Sequence, residues 1–157
     1  MSTFIGDALP EPLTQHLSPD HAIERADRAV VICSVDEHGW PHPAMLSSLE
    51  LVAVDARNIR LSVQSRSRTA RNLLANGRLT VIVADDDAVF YVKGDALPLA
   101  YLAATPDLAR FNLRVDSVLQ DAAGEYEHAR LVAGIRVTRD ALDPSLARQR
   151  LDALAGD

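Results

Sequence analysis

Ile59-Arg60-Leu61-Ser62-Val63-Gln64-Ser65-Arg66-Ser67-Arg68-Thr69-Ala70-Arg71-Asn72-Leu73-Leu74-Ala75-Asn76-Gly77 changes its period partway along. Ile59, Leu61 and Val63 alternate with Arg60 and Ser62, the spacing of a half-buried strand. Beyond Ser67 the spacing turns helical. Ser67 reads as the N-cap, Ala70, Leu73 and Leu74 as the apolar face, and Gly77 as the C-terminal stop. A strand running straight into one short helix is the exception in this chain, and most of what surrounds it is strand.

Upstream, Ala29 to Val35 is short and β-branched, and Asp36-Glu37-His38-Gly39 reads as a turn. A second extended segment is expected from about His42 to Val54, followed by a turn at Asp55-Ala56-Arg57-Asn58. Downstream, strands are expected at Leu79 to Ala84, Ala88 to about Leu97, Arg110 to Gln120 and Leu131 to Val137. Turns at Asp85-Asp86-Asp87 and Ala123-Gly124 separate them. Residues 1–28 read as a helical N-terminal segment, with Ser18-Pro19-Asp20 as a helix start, an apolar stripe of Ala22, Ile23 and Ala26, and a Glu24–Arg28 pair. Asp143-Pro144 opens a C-terminal helix over residues 143–155, with Ala147, Leu151 and Leu154 on its face. About seven strands joined by short turns, with one inserted helix and helices at both ends, predict a mainly β, antiparallel barrel over residues 1–157 as a single domain.

Composition narrows the function. The 157 residues carry 22 acids and 16 bases, a net charge of −6, and aromatics are only 4%. A general binder of nucleic acid or of anionic membranes needs the opposite charge balance, and single-strand binders also need stacking rings. No apolar stretch approaches the roughly 18 residues of a membrane span, and residues 1–7 lack the pattern of a signal peptide. The lone Cys33 excludes an intramolecular disulfide and points to the cytoplasm. It reads as an inert core residue.

Against this acidic background, Arg66, Arg68, Arg71 and Arg78 form a positive island at the strand-to-helix junction. A helix N-terminus offers unpaired N–H groups and about half a positive charge. The hydroxyls of Ser67 and Thr69 add donors, and arginine presents a planar fork suited to phosphate oxygens. The competing reading is a solvated helix face on which Ser67 is only a cap. Other constellations are weaker. His38 and His42 are separated by Gly39 and Pro41 and lack a third ligand, so no metal site is expected. Phe90 and Tyr91 are adjacent in one strand, so one faces the core and the other faces outward.

The order of four pieces resembles the pyridoxamine 5′-phosphate oxidase-like family of FMN-binding split β-barrels. They are the hairpin Val31 to Pro43, the strand Ile59 to Val63, the segment Ser67 to Gly77, and the strand Val89 to Ala96. The resemblance implies an FMN phosphate held by Ser67, Arg68 and Thr69. It also implies an isoalloxazine ring lying along Met45, Leu46 and Ser47 on one strand and Ser62 and Val63 on another. It further implies a homodimer with the flavin at the subunit interface, where residues near Val89 to Tyr91 approach from the partner chain. The implied activity is that of an oxidoreductase on a small molecule. The deazaflavin F420, also phosphate-bearing, and haem are alternative cofactors in the same fold, with His42 and His128 as the histidines to consider for haem. A non-catalytic flavin-binding sensor is the other alternative. Thr69, Ala44 and Leu49 stand at or near positions where true pyridoxamine-phosphate oxidases carry Lys, Arg and Lys. Residues 136–157 also lack those enzymes' Trp- and Arg-containing substrate segment. The named oxidase activity is therefore not expected here.

Overall fold

The computed structural model describes residues 2–85, 88–103, 105–123, 131–138 and 140–156. In chain order the elements begin with β1 (Thr3–Gly6), α1 (Glu11–His16), a 3-10 turn (Pro19–His21), β2 (Arg28–Val35) and β3 (Pro41–Ser47). They continue with β4 (Leu51–Asp55), β5 (Asn58–Gln64), α2 (Arg68–Asn76), β6 (Arg78–Asp85) and β7 (Ala88–Pro98). The chain closes with β8 (Leu108–Ala122), β9 (Ile135–Arg136) and α3 (Pro144–Ala155). The sheet order is β3-β2-β6-β7-β8-β5-β4, with β1 added to β8 and β9 to β2. The strand pairs are antiparallel. This is the split β-barrel expected from the sequence, with seven strands on the main path.

Alternation along each strand sets the core. Val30 and Ile32 of β2, Val81 and Val83 of β6, Val92 of β7, Ile59 and Leu61 of β5, and Phe111 and Leu113 of β8 face inward and are buried. Helix α2 plugs the barrel with Ala70 and Leu73. Ser67 caps it by accepting from the Ala70 N–H at 3.0 Å, and Gly77 ends it at φ +69°, a conformation that a Cβ disfavours. Between them Asn72 is also buried, and its Nδ2 donates to Ser34 Oγ at 3.0 Å. That bond satisfies two polar groups that would otherwise each cost about 1–3 kcal/mol in the interior.

Several expectations need correction. The segment His42 to Val54 is two strands, because Ser48, Leu49 and Glu50 form a turn. The Glu50 carboxylate accepts from both the N–H and the hydroxyl of Ser47 at 2.8 Å, and the Glu50 N–H donates to Ser47 O at 3.0 Å. Leu74 is 63% exposed, since Thr69 and Asn72 occupy the buried face of α2 with Ala70 and Leu73. Cys33 is only half-buried, because β2 turns Val30, Ile32 and Ser34 inward. The strand expected over Leu131 to Val137 shrinks to Ile135–Arg136. Gly124, Asp86, Asp87 and His128, on which turn and ligand expectations fell, lie outside the described residues.

The N-terminal segment is less helical than expected. It opens with β1, and Ser18 Oγ bonds His21 Nδ1 instead of capping the backbone. Helix α1 falls inside the segment read as helical, though its face was not named, and places Leu13 and Leu17 in the core with Leu9. Arg28 pairs with Asp85 at 3.1 Å, and His16 Nδ1 lies 3.0 Å from the other oxygen of the same carboxylate. Burial and the nearby Arg25 guanidinium hold the His16 pKa below the ordinary 6.5, against the pull of Asp85. Below that value the unfolded chain binds a proton that the folded chain resists. Stability from this group is therefore full above about pH 6.5 and falls as the pH drops through the depressed folded value. Denaturant titrations of the native protein and His16→Gln across this window should show a shallower pH slope for the variant.

Helix α3 packs on the opposite face of β4. Ala147, Leu151 and Leu154 join Ala22, Leu49 and Val52 in a second core. Asp143 caps it as expected, accepting from Ser145 N at 2.8 Å and Leu146 N at 3.2 Å.

Candidate functional site

Two features sit at the end of β5. The first is the N-terminus of α2. Arg66, Arg68 and Arg71 are exposed around it, and Arg71 Nη1 donates to Arg66 O at 3.2 Å. Ser67 uses its Oγ as the cap, and the Ser67 carbonyl accepts from Arg71 N at 3.2 Å. Among the described residues, the backbone N–H groups of Arg68 and Thr69 have no acceptor. Thr69 is buried, so its hydroxyl is not offered at the surface. Two open amides, a helix dipole and three exposed arginines give this corner a positive potential.

The second feature is a cleft of about 450 Å³ between α3, the loop before β8, and the outer face of β5 and β8. Ser47 and Ser62 both line it. They are brought together by Glu50, whose carboxylate holds Ser47 and whose carbonyl accepts from Ser62 N at 2.9 Å. Gln64 and Arg110 also line the cleft. Gln64 ends β5, and its carbonyl accepts from the Ser67 N–H at 2.9 Å, which links the cleft to the start of α2.

The other expected ring residues are divided by strand parity. Leu46 and Val63 point into the barrel core and present only backbone to a ligand outside it. Met45 points outward and is 63% exposed. Sequence reading missed Glu50 and Arg110. A turn glutamate and an isolated strand arginine carry no local signal, and both become visible only through register. Among the described residues, no group of three His, Cys, Asp or Glu side chains comes together to hold a metal.

Outside the barrel one further pattern crosses the sheet. Register places Met45 beside Val31, Val31 beside Ile82, Ile82 beside Tyr91, Tyr91 beside Leu119, and Leu119 beside Phe4. Six apolar residues thus form one outward row across six strands. Phe90, the neighbour of Tyr91, faces inward and packs against the core, so the expected division of the two rings holds.

Fold and site together define a split β-barrel with an anion-receptive helix start beside a ligand-sized cleft. The chain belongs to the pyridoxamine 5′-phosphate oxidase family, whose model matches residues 21–139. It is 32% identical to the uncharacterized protein YclD of Bacillus subtilis strain 168 over 126 residues, 80% of each chain. A solved structure from Lactobacillus delbrueckii, named for pyridoxamine 5′-phosphate oxidase, is similar with a TM-score of 0.59 at 15% identity. It covers 75% of this chain and 98% of its own. HupZ of Group A Streptococcus is similar with a TM-score of 0.53 at 13% identity, over 68% of this chain and 95% of its own. Among the described residues, no helix is long and apolar enough to cross a membrane.

Proposed function

We propose that this protein is a homodimeric, FMN-dependent oxidoreductase acting on a small molecule. The observation that carries the proposal is the start of α2: open amides at Arg68 and Thr69, ringed by Arg66, Arg68 and Arg71. Its donor set matches the charge and oxygen count of a phosphate monoester, so the residues present fit the FMN phosphate. The isoalloxazine would lie toward Ser47 and Ser62, with Leu46 and Val63 offering backbone groups. When bound, the flavin supplies the hydride or electron transfer. The chain's own work is to neutralise the phosphate, orient the ring and exclude water through the apolar walls of the cleft. A cytoplasmic location suits a chain with a single, free cysteine.

Arg68→Ala tests the phosphate assignment. Losing one charge-assisted hydrogen bond costs about 1.5–3 kcal/mol, or ~10- to 150-fold in affinity. FMN titration by flavin fluorescence should show that weakening with an unchanged melting temperature of the FMN-free protein. Unaltered FMN affinity would remove Arg68 from the site.

The apolar row supports the dimer. Its occupant in this proposal is a second copy of the chain, which buries the row and brings the Val89 to Tyr91 region of the partner subunit toward the flavin. Ile82 is central in the row and half-buried. Ile82→Glu would place a charge in the interface core, where such charges are depleted. Light scattering should then report a monomer where the native protein is a dimer, and FMN retention should fall with it.

A further inference from the structure

We propose that the cleft beside α3 binds a small organic acid, with its carboxylate taken by Arg110 and Ser62. These two residues are direct cross-strand partners on the outer face of β8 and β5. Opposed side chains in such a pair stand about 4.5–5.5 Å apart at Cβ, close enough to share one ligand group. Each is only 6% exposed, and both line the cleft.

Their polar atoms are underused. Arg110 Nη2 donates to Gly156 O at 2.8 Å and, at 3.5 Å, to Leu154 O. Its Nε has no acceptor. Among the described residues no carboxylate lies within 4.0 Å of this guanidinium, and Ser62 Oγ makes no hydrogen bond. A buried cation without a counter-anion is costly. Arg60 stands near enough to repel it further. The C-terminus of α3 offsets only about half a charge. Among the described residues, the floor of the cleft therefore carries a positive surplus and a free hydroxyl.

The surroundings select the rest of the ligand. Leu49, Leu102, Leu146 and Leu154 form apolar walls. Glu50 and Asp107 oppose Arg110 and Arg150 around the cleft. The Glu50 carboxylate is already occupied by Ser47. The lining as a whole is thus balanced, and discrimination falls to the guanidinium on the floor. A volume of about 450 Å³ suits a small acid with an apolar body. Binding of the acid does not require the flavin, although the ring proposed above shares Ser62 with it. Only its role as the molecule oxidised or reduced rests on the function proposed above.

The test uses hexanoate and benzoate as probes, with hexanamide and benzamide as neutral counterparts, on the full chain with and without FMN. Calorimetry should show the acids binding at least about tenfold more tightly than the amides. Arg110→Gln should remove that preference, and Ser62→Ala should weaken acid binding about threefold. Arg60→Gln, which also loosens the end of α3 but leaves the floor intact, should stay within about twofold of native. The proposal is overturned if amides bind as well as acids or if neither acid binds at about 10 mM. It is also overturned if Arg60→Gln costs as much as Arg110→Gln. Acid binding in a protein that takes up no FMN would uphold this site and sink the flavin proposal instead.

Discussion

Gly94→Ala should unfold the protein or lower its melting temperature by about 6–12 °C. Gly94 lies at an irregularity in the β7–β8 ladder, where the register shifts between Lys93 and Gly94. A Cβ built there would stand 2.0 Å from the Arg114 carbonyl oxygen and 2.9 Å from its carbon. Both are backbone atoms of the longest strand, so no side-chain rotation relieves the clash. Relief requires parting β7 from β8 at the centre of the sheet. Overpacking that moves backbone costs about 3 kcal/mol or more. For a chain of this size each 1 kcal/mol corresponds to ~2–4 °C. Thermal unfolding followed by circular dichroism measures it, and Gly94→Ala melting within about 2 °C of native would show that the strands separate more easily than this close approach implies.

Phe111→Ala should cost about 3–5 kcal/mol, the range for removing a fully buried aromatic ring. Phe111 is 1% exposed and sits opposite Leu61 on the inner face, with Pro98 of β7 as its other cross-strand neighbour. Three strands meet around this side chain, and truncation leaves a cavity that the barrel cannot collapse to fill. Phe111→Leu keeps most of the volume and should cost less than half as much. Denaturant titrations of the two variants separate lost volume from any special role of the ring.

The sequence disclosed those features that local chemistry specifies. Ser67 and Gly77 bracket α2 because an N-cap hydroxyl and a left-handed stop are local requirements, and the structure places both where they were read. The strands β5 and β8 followed from alternation, and β2 from its short β-branched run. The break between β3 and β4 was hidden because it rests on a side chain, Glu50, reaching back to Ser47. Leu73 and Leu74 are adjacent, and only the packing of Asn72 against Ser34 decides which leucine turns inward. Helix α1 carried a signal that went unused: Leu9, Leu13 and Leu17 recur every four residues within a polar, proline-bearing stretch.

The candidate site divides in the same way. Arg66, Arg68 and Arg71 are neighbours in sequence and were legible as a charge island. Ser47 and Ser62 were named through family resemblance, and their shared position in the cleft follows from Glu50. Arg110 was legible only as one polar position in an alternating strand. Its pairing with Ser62 depends on the β5–β8 register, which is set by residues distant in sequence.

The account's central claim is that the start of α2 receives the phosphate of FMN. The direct measurement is the affinity of the flavin-free protein for FMN against riboflavin, which shares the ring and ribityl chain but lacks the phosphate. The account predicts about a hundredfold preference for FMN, reduced to tenfold or less in Arg68→Ala. Equal affinity for the two flavins, or a preference that Arg68→Ala leaves intact, would contradict it.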